Sequence, residues 1–405
     1  MKITIPDFCL VLILGQSDAV DAAAIPFRQS GELLTIGVHH ANPLGAMATL
    51  EAGLASAARQ LAARRPVAVV APGLGAHARA SLATTAKSHY AKAIALVAGL
   101  ETGPRDILAG QLANEGFSEI AFAPVPTVPE IVRVPLEVDR RGEAGPFDIV
   151  GDVHGCTDEL EELLARLGYD VRFAGQGRTR TARTRAPAGR RLVLVGDLVD
   201  RGPRTTDALR IAMAMVEAGH ALCLPGNHDV KFLRWLKGAK VRISHGLETT
   251  IDAFAREDEA FRSRIVAFLE GLPHHLWLDG GRLVVAHAGI REDMIGRSAG
   301  RVREFCLYGD TAGETDVSGL PVRYHWALDY RGAPAIVYGH TPVVNADWVG
   351  NTLCIDTGCC FGGKLTALRW PEREIVAVPA RQAYAARLRP FGHPPPRPRA
   401  ARHAG

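Results

Sequence analysis

Residues 147–155 read FDIVGDVHG, and residues 192–202 read LVLVGDLVDRG. In both stretches a short, largely apolar run ends in a glycine that is followed by aspartate. Such runs are typical of buried strands, and the glycine marks the turn that ends each strand. Later runs of the same form are followed by the polar groups Asn227-His228-Asp229, His287 and His340. The pattern predicts an α/β fold with polar side chains gathered at the carboxyl edge of a sheet.

These polar residues are of the types that bind divalent cations, since carboxylate, imidazole and amide donors suit borderline metals. Asp152 and His154 are two residues apart and point the same way if strand geometry continues. Asp197 can bridge two ions, and two ions about 3.5–4 Å apart can activate a bridging hydroxide that attacks a phosphoryl group in line. We expect two divalent ions, Mn²⁺ first, with Ni²⁺, Fe²⁺ or Zn²⁺ as alternatives. The candidate ligands are Asp152, His154, Asp197, Asn227, His287 and His340.

Taken together and in this order, the motifs resemble the calcineurin-like metallophosphoesterase superfamily, in its phosphoprotein-phosphatase-like branch. The resemblance covers about residues 147–380 and implies an αββα sandwich with a dinuclear site. It implies that Asp152 and His154 bind the first metal, that Asp197 bridges, and that Asn227, His287 and His340 bind the second. It also implies that Arg201 clamps the phosphate, and that His228, oriented by Asp229, protonates the leaving oxygen.

A narrower resemblance concerns residues 221–229 (ALCLPGNHD), 337–342 (VYGHTP) and 355–358 (IDTG). These segments are similar to the phosphatase module of bacterial polynucleotide kinase–phosphatase, an RNA-repair enzyme. That similarity implies hydrolysis of 3′-phosphate or 2′,3′-cyclic phosphate ends of RNA or nucleotides. Asp356 matches an acidic position near that active site, although a buried aspartate that caps a turn explains it equally well.

Other functions share the same metal set. A Ser/Thr protein phosphatase or a diadenosine tetraphosphatase is the alternative enzyme class. A nucleic-acid-binding scaffold with a vestigial site is the non-enzymatic alternative, and the arginine-rich segment 172–191 motivates it, with seven Arg and no acidic residue. The competing interpretation of that segment is a solvated insert.

The amino-terminal region resembles the kinase part of the same repair enzymes. A buried strand over Leu10–Leu14 is followed by Gly15-Gln16-Ser17-Asp18, which lacks the lysine and the second glycine of a phosphate-binding loop. The expected fold is a degenerate P-loop kinase-like α/β domain without an ATP site, with helices over Ala46–Ala63 and Ala76–Leu100. An unrelated small α/β domain is the competing account.

Four segments are therefore expected. Residues 1–135 form the kinase-like domain, residues 136–146 a linker, residues 147–384 the metallophosphoesterase domain, and residues 385–405 a disordered tail rich in Pro and Arg.

Composition sets the remaining limits. The chain has 405 residues, 47% hydrophobic and 22% charged, which excludes a wholly disordered, collagen-like or coiled-coil chain. A net charge of +4 weakly favours anionic partners, here a phosphate-ester substrate. The seven cysteines show no disulfide-like spacing, and no apolar run reaches the roughly 18–20 residues of a membrane span. We expect a cytoplasmic protein without membrane contact.

Overall fold

The computed structural model describes residues 1–36, 43–71, 73–123, 128–316 and 321–398, without the side chains of residues 43–46. The chain divides into two compact units. Residues 1–137 and 296–302 form the first unit, and residues 138–295 with those from 303 onward form the second. The domain boundaries expected from the sequence, at residues 135 and 147, lie on either side of this division.

The first unit is built on a parallel sheet of five strands. Its helices are α1 (Ser17–Gln29), α2 (Pro43–Ala62), α3 (Ala76–Ser88) and α4 (Thr102–Asn114). Its strands are β1 (Lys2–Pro6), β2 (Cys9–Gly15), β3 (Leu33–Thr35), β4 (Val67–Val70), β5 (Lys92–Ala98), β6 (Glu119–Ala123) and β7 (Glu130–Val134). The sheet order is β3-β4-β2-β5-β6, and β1 pairs with β7. The central strand β2 is continuously apolar because a parallel sheet is buried on both faces.

The helix predicted over Ala76–Leu100 is wrong in its second half. Helix α3 ends at Ser88, and residues 92–98 form strand β5, which pairs with β2 and β6. Alanine-rich composition favours a helix, but pairing with two neighbouring strands overrides that weak local preference. The predicted helix over Ala46–Ala63 corresponds to α2.

The second unit contains two six-stranded sheets. Its helices are α5 (Thr157–Arg166), α6 (Thr205–Glu217), α7 (Asn227–Leu236), α8 (Leu247–Phe254), α9 (Glu259–Glu270) and α10 (Gly300–Tyr308), of which α10 begins within the segment 296–302. Its longer strands are β9 (Phe147–Val150), β12 (Arg191–Leu194), β13 (Ala221–Cys223), β14 (His275–Leu278), β15 (Leu283–Ala286), β18 (Ala335–Tyr338), β20 (Thr352–Cys354), β22 (Lys364–Trp370) and β23 (Glu374–Pro379). Shorter or peripheral strands are β8 (Asp139–Arg140), β10 (Asp170–Ala174), β11 (Thr181–Arg185), β16 (Asp310–Thr315), β17 (Pro321–Tyr324), β19 (Trp348–Val349) and β21 (Asp356–Thr357). None of the helices in the described parts of the chain is long and apolar enough to cross a membrane.

The two sheets pack face to face. The first has the order β13-β12-β9-β22-β21, with β23 beside β22, and the second has the order β19-β20-β18-β15-β14-β8. Alternate residues such as Ile149 and Val193 of the first sheet and Val285 and Val337 of the second form the apolar layer between them. Buried residues of α5 and α6 cover the other face of the first sheet. The predicted two-sheet sandwich is confirmed.

Residues 136–146, expected to be a linker, contain β8, which pairs with β14. The arginine-rich segment 172–191 is an exposed insert between α5 and β12, in line with one of its two interpretations, and β10 and β11 form an antiparallel hairpin there. Ion pairs anchor it: Arg180 Nε lies 2.9 Å from Asp207 Oδ1, and Arg190 pairs with Asp148.

The expected disordered tail also makes defined contacts over residues 385–398, whereas residues 399–405 lie outside the described residues. The backbone N–H of His325 donates to Pro395 O at 2.9 Å, and the rings of His325 and His393 stack with centroids 4.2 Å apart. Arg397 Nε donates to Asp310 Oδ2 at 3.0 Å. Arg397 of the tail thus pairs with a carboxylate of the folded unit, which amino-acid composition alone does not reveal.

Asp148 provides a test of this packing, since its carboxylate is fully buried between Arg190, Arg369 and the hydroxyl of Tyr169. Asp148→Asn should lower the free energy of unfolding by about 3 kcal/mol, because the two arginines lose their buried counter-charge. All five tryptophans lie in the second unit, so urea denaturation followed by tryptophan fluorescence reports on it alone.

Glu372→Gln is the matched control, because Glu372 pairs with the same Arg190 but its side chain is 45% exposed. Its loss should stay below about 1 kcal/mol. Equal losses for the two variants would contradict the buried network.

Candidate metal centre

The candidate ligands follow the ends of strands of both sheets. Loops after β9 and β12 and the first residue of α7 after β13 carry the ligands of the first sheet, and loops after β15 and β18 carry those of the second. The first sheet supplies Asp152, His154, Asp197 and Asn227, and the second supplies His287 and His340. Because all these strands end at one edge of the sandwich, residues far apart in the chain meet there.

The backbone of these loops is held in an unusual conformation. Five of the ten described non-glycine residues with positive φ are His154, Asp197, Asp200, Arg201 and His340. Such conformations cost about 1–3 kcal/mol each and persist only where the surrounding structure enforces them.

Two glycines allow the carboxylates to approach the backbone closely. A Cβ at Gly226 would lie 2.0 Å from Asp197 Oδ1, and one at Gly339 would lie 2.0 Å from Asp152 Oδ1. Gly226 and Gly339 are therefore required because any larger side chain would overlap the carboxylates, and not only because of the turn conformation.

A first group of potential ligand atoms comprises His154, Asp197 and His228, within 4.8 Å of one another. His154 Nδ1 lies 2.9 Å from the carbonyl oxygen of Val199, so Nδ1 carries the proton and donates. The Nε2 lone pair then accepts a hydrogen bond from Arg201 Nη1, and Asp197 Oδ2 lies 3.4 Å from the same nitrogen. This is the tautomer that a metal ligand needs.

A second group comprises Asp197, His287 and His340, again within 4.8 Å. His287 Nδ1 donates to Val195 O at 3.1 Å, which leaves the Nε2 lone pair facing Asn227 Oδ1 and His340 Nδ1, each at 3.1 Å. Two acceptors, the ring nitrogen and the amide oxygen, thus face each other without a proton between them. Because Asp197 belongs to both groups, it is placed to bridge.

Asp152 and Asp356 complete the acidic side of the site. Asp152 accepts the backbone N–H of His340 at 3.0 Å, and Asp356 accepts that of Gly358 at 2.9 Å. Burial raises the pKa of Asp152 well above its usual range, and repulsion from Asp356 and Asp197 adds to this. Burial likewise raises the pKa of Asp197 to about 7 and that of Asp356 to about 6. Three buried carboxylates repel one another unless a cation lies between them.

The imidazoles have the opposite tendency. Burial lowers the pKa of His287 to about 3, and burial, assisted by nearby arginines, lowers the pKa of His154 and His340 below the usual range. His340 Nε2 is buried and has no hydrogen-bond partner among the described residues. Neutral imidazoles beside crowded carboxylates fit two divalent cations, because the cations supply the missing positive charge.

Comparison with known proteins shows the family of this chain. A family model described as calcineurin-like phosphoesterase matches residues 145–344. The bis(5′-nucleosyl)-tetraphosphatase PrpE (asymmetrical) of Anoxybacillus flavithermus is 45% identical over 254 residues, which cover 60% of this chain and 99% of that protein. The chain belongs to the calcineurin-like phosphoesterase family. It is a metal-dependent phosphoesterase, as predicted from its motifs.

Further relatives carry the same name. The PrpE protein of Bacillus subtilis is 42% identical over 250 residues, which cover 60% of this chain and 99% of that protein. A solved structure whose provisional name is diadenosine tetraphosphatase is 25% identical, with a TM-score of 0.43, and covers 60% of this chain and 97% of its own. The similarity to polynucleotide kinase–phosphatase is not confirmed by these relatives.

Two arginines of this phosphoesterase face the ligand set. Arg201 Nη2 donates to His228 Nε2 at 3.0 Å, and the guanidinium lies over the ring of Phe361 at 4.8 Å. Arg323, on β17, was not singled out from the sequence. Burial lowers its pKa to about 10, and it interacts electrostatically with Asp197. Its Nε has no partner among the described residues, which leaves that N–H available to a phosphate oxygen.

The partner predicted for His228 requires a correction. His228 Nδ1 lies 2.5 Å from Asp200 Oδ2, and Asp200 also accepts the hydroxyl of Thr250 at 2.6 Å. Asp229 instead accepts the backbone N–H groups of Leu198 and Gly226. Adjacent residues on a helix face different directions, so Asp229 cannot follow the ring of His228, whereas the loop after β12 brings Asp200 to it.

Asp200 and Asp229 should therefore respond differently to the same substitution. Asp200→Asn should lower kcat on p-nitrophenyl phosphate by about 100-fold, because His228 loses the carboxylate that orients its ring. Asp229→Asn should mainly lower the melting temperature, because an amide cannot accept both backbone N–H groups. Steady-state kinetics and thermal denaturation of both variants make the comparison. The reverse pattern would restore the original prediction for Asp229.

Proposed function

We propose that this phosphoesterase hydrolyses dinucleoside tetraphosphates asymmetrically, to a nucleoside triphosphate and a nucleoside monophosphate. The observation that carries the proposal is the 45% identity with a bis(5′-nucleosyl)-tetraphosphatase, because the match includes 99% of that protein. This was the alternative function in the sequence analysis, and the comparisons favour it over RNA-end processing.

The proposed metal ligands are the six predicted from the sequence, with Asp197 shared by both ions. Bound divalent cations supply positive charge for the phosphate oxygens and lower the pKa of water. Asp152 and Asp356 balance that charge, and the neutral imidazoles of His154, His287 and His340 keep their lone pairs available. The backbone positions of these groups are set before any substrate arrives.

The remaining groups would act on the polyphosphate. Arg201 and Arg323 present planar N–H donors that suit phosphate oxygens. Arg201 donates to His228 Nε2 in this structure, so Nε2 could give a proton to the departing nucleotide oxygen once Arg201 turns to the phosphates. Asp200 at Nδ1 stabilises the protonated ring that this role requires. A substrate with four phosphates would neutralise both arginines at once.

RNA-end hydrolysis and phosphoprotein hydrolysis stay predictions without support from the relatives. The arginine-rich segment was the main reason to expect contact with nucleic acid. Four of its arginines, however, already pair with carboxylates within the second unit, which weakens that argument: Arg172, Arg180, Arg190 and Arg191.

For the first unit we retain the proposal of a degenerate kinase-like domain without an ATP site. The loop between β2 and α1 is short, since β2 ends at Gly15 and α1 begins at Ser17. A Cβ at Gly15 would lie 1.8 Å from Ala98 O, so this glycine serves close strand packing.

A substrate panel tests the proposed function directly. With Mn²⁺, we expect kcat/KM to be highest for diadenosine tetraphosphate, with ATP and AMP as the only products on ion-exchange chromatography. The comparison substrates are a 3′-phosphorylated oligoribonucleotide, a 2′,3′-cyclic nucleotide and a phosphopeptide. Formation of ADP alone, or faster turnover of the oligoribonucleotide, would contradict the proposal.

Arg323 offers a second test. Arg323→Ala should raise the KM for diadenosine tetraphosphate by about tenfold or more, because it removes a charge-assisted hydrogen bond to the phosphate chain. The effect on p-nitrophenyl phosphate should be smaller, since that substrate has one phosphate. Arg264→Ala is the control, because Arg264 of α9 is exposed and pairs with Glu217 of α6. Equal KM changes in both arginine variants would exclude a specific role for Arg323.

A further inference from the structure

A second cluster of metal-binding side chains lies outside the phosphoesterase centre. We infer that Cys156, Glu159 and Cys359 form a site for a thiophilic divalent cation of the Zn²⁺ class. Their ligand atoms lie within 4.8 Å of one another, and the residues are 1%, 0% and 2% exposed. The cluster shares no ligand with the six residues proposed for the catalytic ions.

The carboxylate of Glu159 is the second observation that points to a cation. Its Oε1 accepts the backbone N–H of Arg381 and the hydroxyl of Tyr384, each at 2.8 Å. Its Oε2 is buried and has no hydrogen-bond partner among the described residues. A buried carboxylate oxygen without a donor is costly, and a cation beside it would remove that cost.

The two thiols are suitable ligands at this place. Cys156 Sγ makes a long contact of 3.6 Å with the carbonyl oxygen of His154, a weak bond that an ion easily replaces. On binding, each thiol loses its proton to water and forms a sulfur–metal bond, so two protons leave for each cation bound. With Zn–S bonds of about 2.3 Å, tetrahedral ligand atoms are about 3.8 Å apart, so a closure of about 1 Å suffices.

The position of the cluster assigns it a structural role. Cys156 immediately precedes α5 and follows His154 by two residues, whereas Cys359 follows Asp356 by three. An ion bound by this cluster would cross-link the loop that carries Asp152 and His154 to the loop that follows Asp356 in the chain. Sulfur donors would also separate it chemically from the catalytic ions, whose proposed ligands are nitrogen and oxygen only.

The test uses the full-length protein, stripped with a chelator and titrated with Cd²⁺. Thiolate-to-Cd²⁺ charge-transfer absorption reports on sulfur ligands alone, and the number of bound ions is measured by elemental analysis. We expect the band to saturate with one cluster-bound ion per chain. Cys156→Ser and Cys359→Ser should each reduce it by at least half, whereas Cys223→Ser, a buried cysteine of the same unit, should leave it unchanged.

Two further variants separate this site from the catalytic centre. His340→Ala should lose a bound ion and keep the band, and Glu159→Gln should weaken Cd²⁺ binding at the band at least tenfold. Absence of a band in the unaltered protein, or an unchanged band in both cysteine variants, would overturn the inference.

A measurement without substitutions covers the case in which the cysteine variants fail to fold. In partial denaturant, Zn²⁺ should slow the alkylation of Cys156 and Cys359 relative to Cys223, as read by peptide mass spectrometry. Equal alkylation rates for all three cysteines in the presence of Zn²⁺ would equally exclude the site.

Discussion

The second unit depends on holding three carboxylates, Asp152, Asp197 and Asp356, buried side by side. Such an arrangement is unfavourable in any fold unless positive charge compensates it, and the residues around it indicate where that charge comes from. Neutral imidazoles surround the carboxylates, and no lysine of the described residues pairs with them. Arg201 and Arg323 lie beside the same residues. Bound cations would complete a charge balance that the chain alone leaves open.

Much of the site could be predicted from the sequence, because each proposed ligand directly follows an apolar strand. Local pattern places such a residue at the end of a strand, and sheet topology then brings the strand ends together. The contact between Asp200 and His228 was not predictable in this way. Asp200 and Asp229 both belong to the quoted motifs. The turn after β12 and the hydrogen bond from Thr250 place Asp200, and not Asp229, against the ring of His228. Arg323 was missed because no strand-end pattern marks it.

The incorrect fold predictions share one physical cause. Alanine content predicted a helix over residues 92–98, and arginine and proline content predicted a disordered tail. In each case partners distant in sequence decide the outcome, namely neighbouring strands for β5 and carboxylates such as Asp310 for the arginines of the tail. Composition indicates the conformation that an isolated segment prefers. Pairing with distant residues determines the conformation that the segment adopts in the fold.

The proposed metal ligands come from both layers of the sandwich, so cation occupancy and cohesion between the layers would be thermodynamically linked. Each bound ion would stabilise the packing of the two sheets against each other. Loss of the ion would make transient separation of the sheets more frequent. In a cell starved of divalent cations, proteases would gain access to the apolar interior. Metal supply would then govern how long each molecule survives as well as how fast it works.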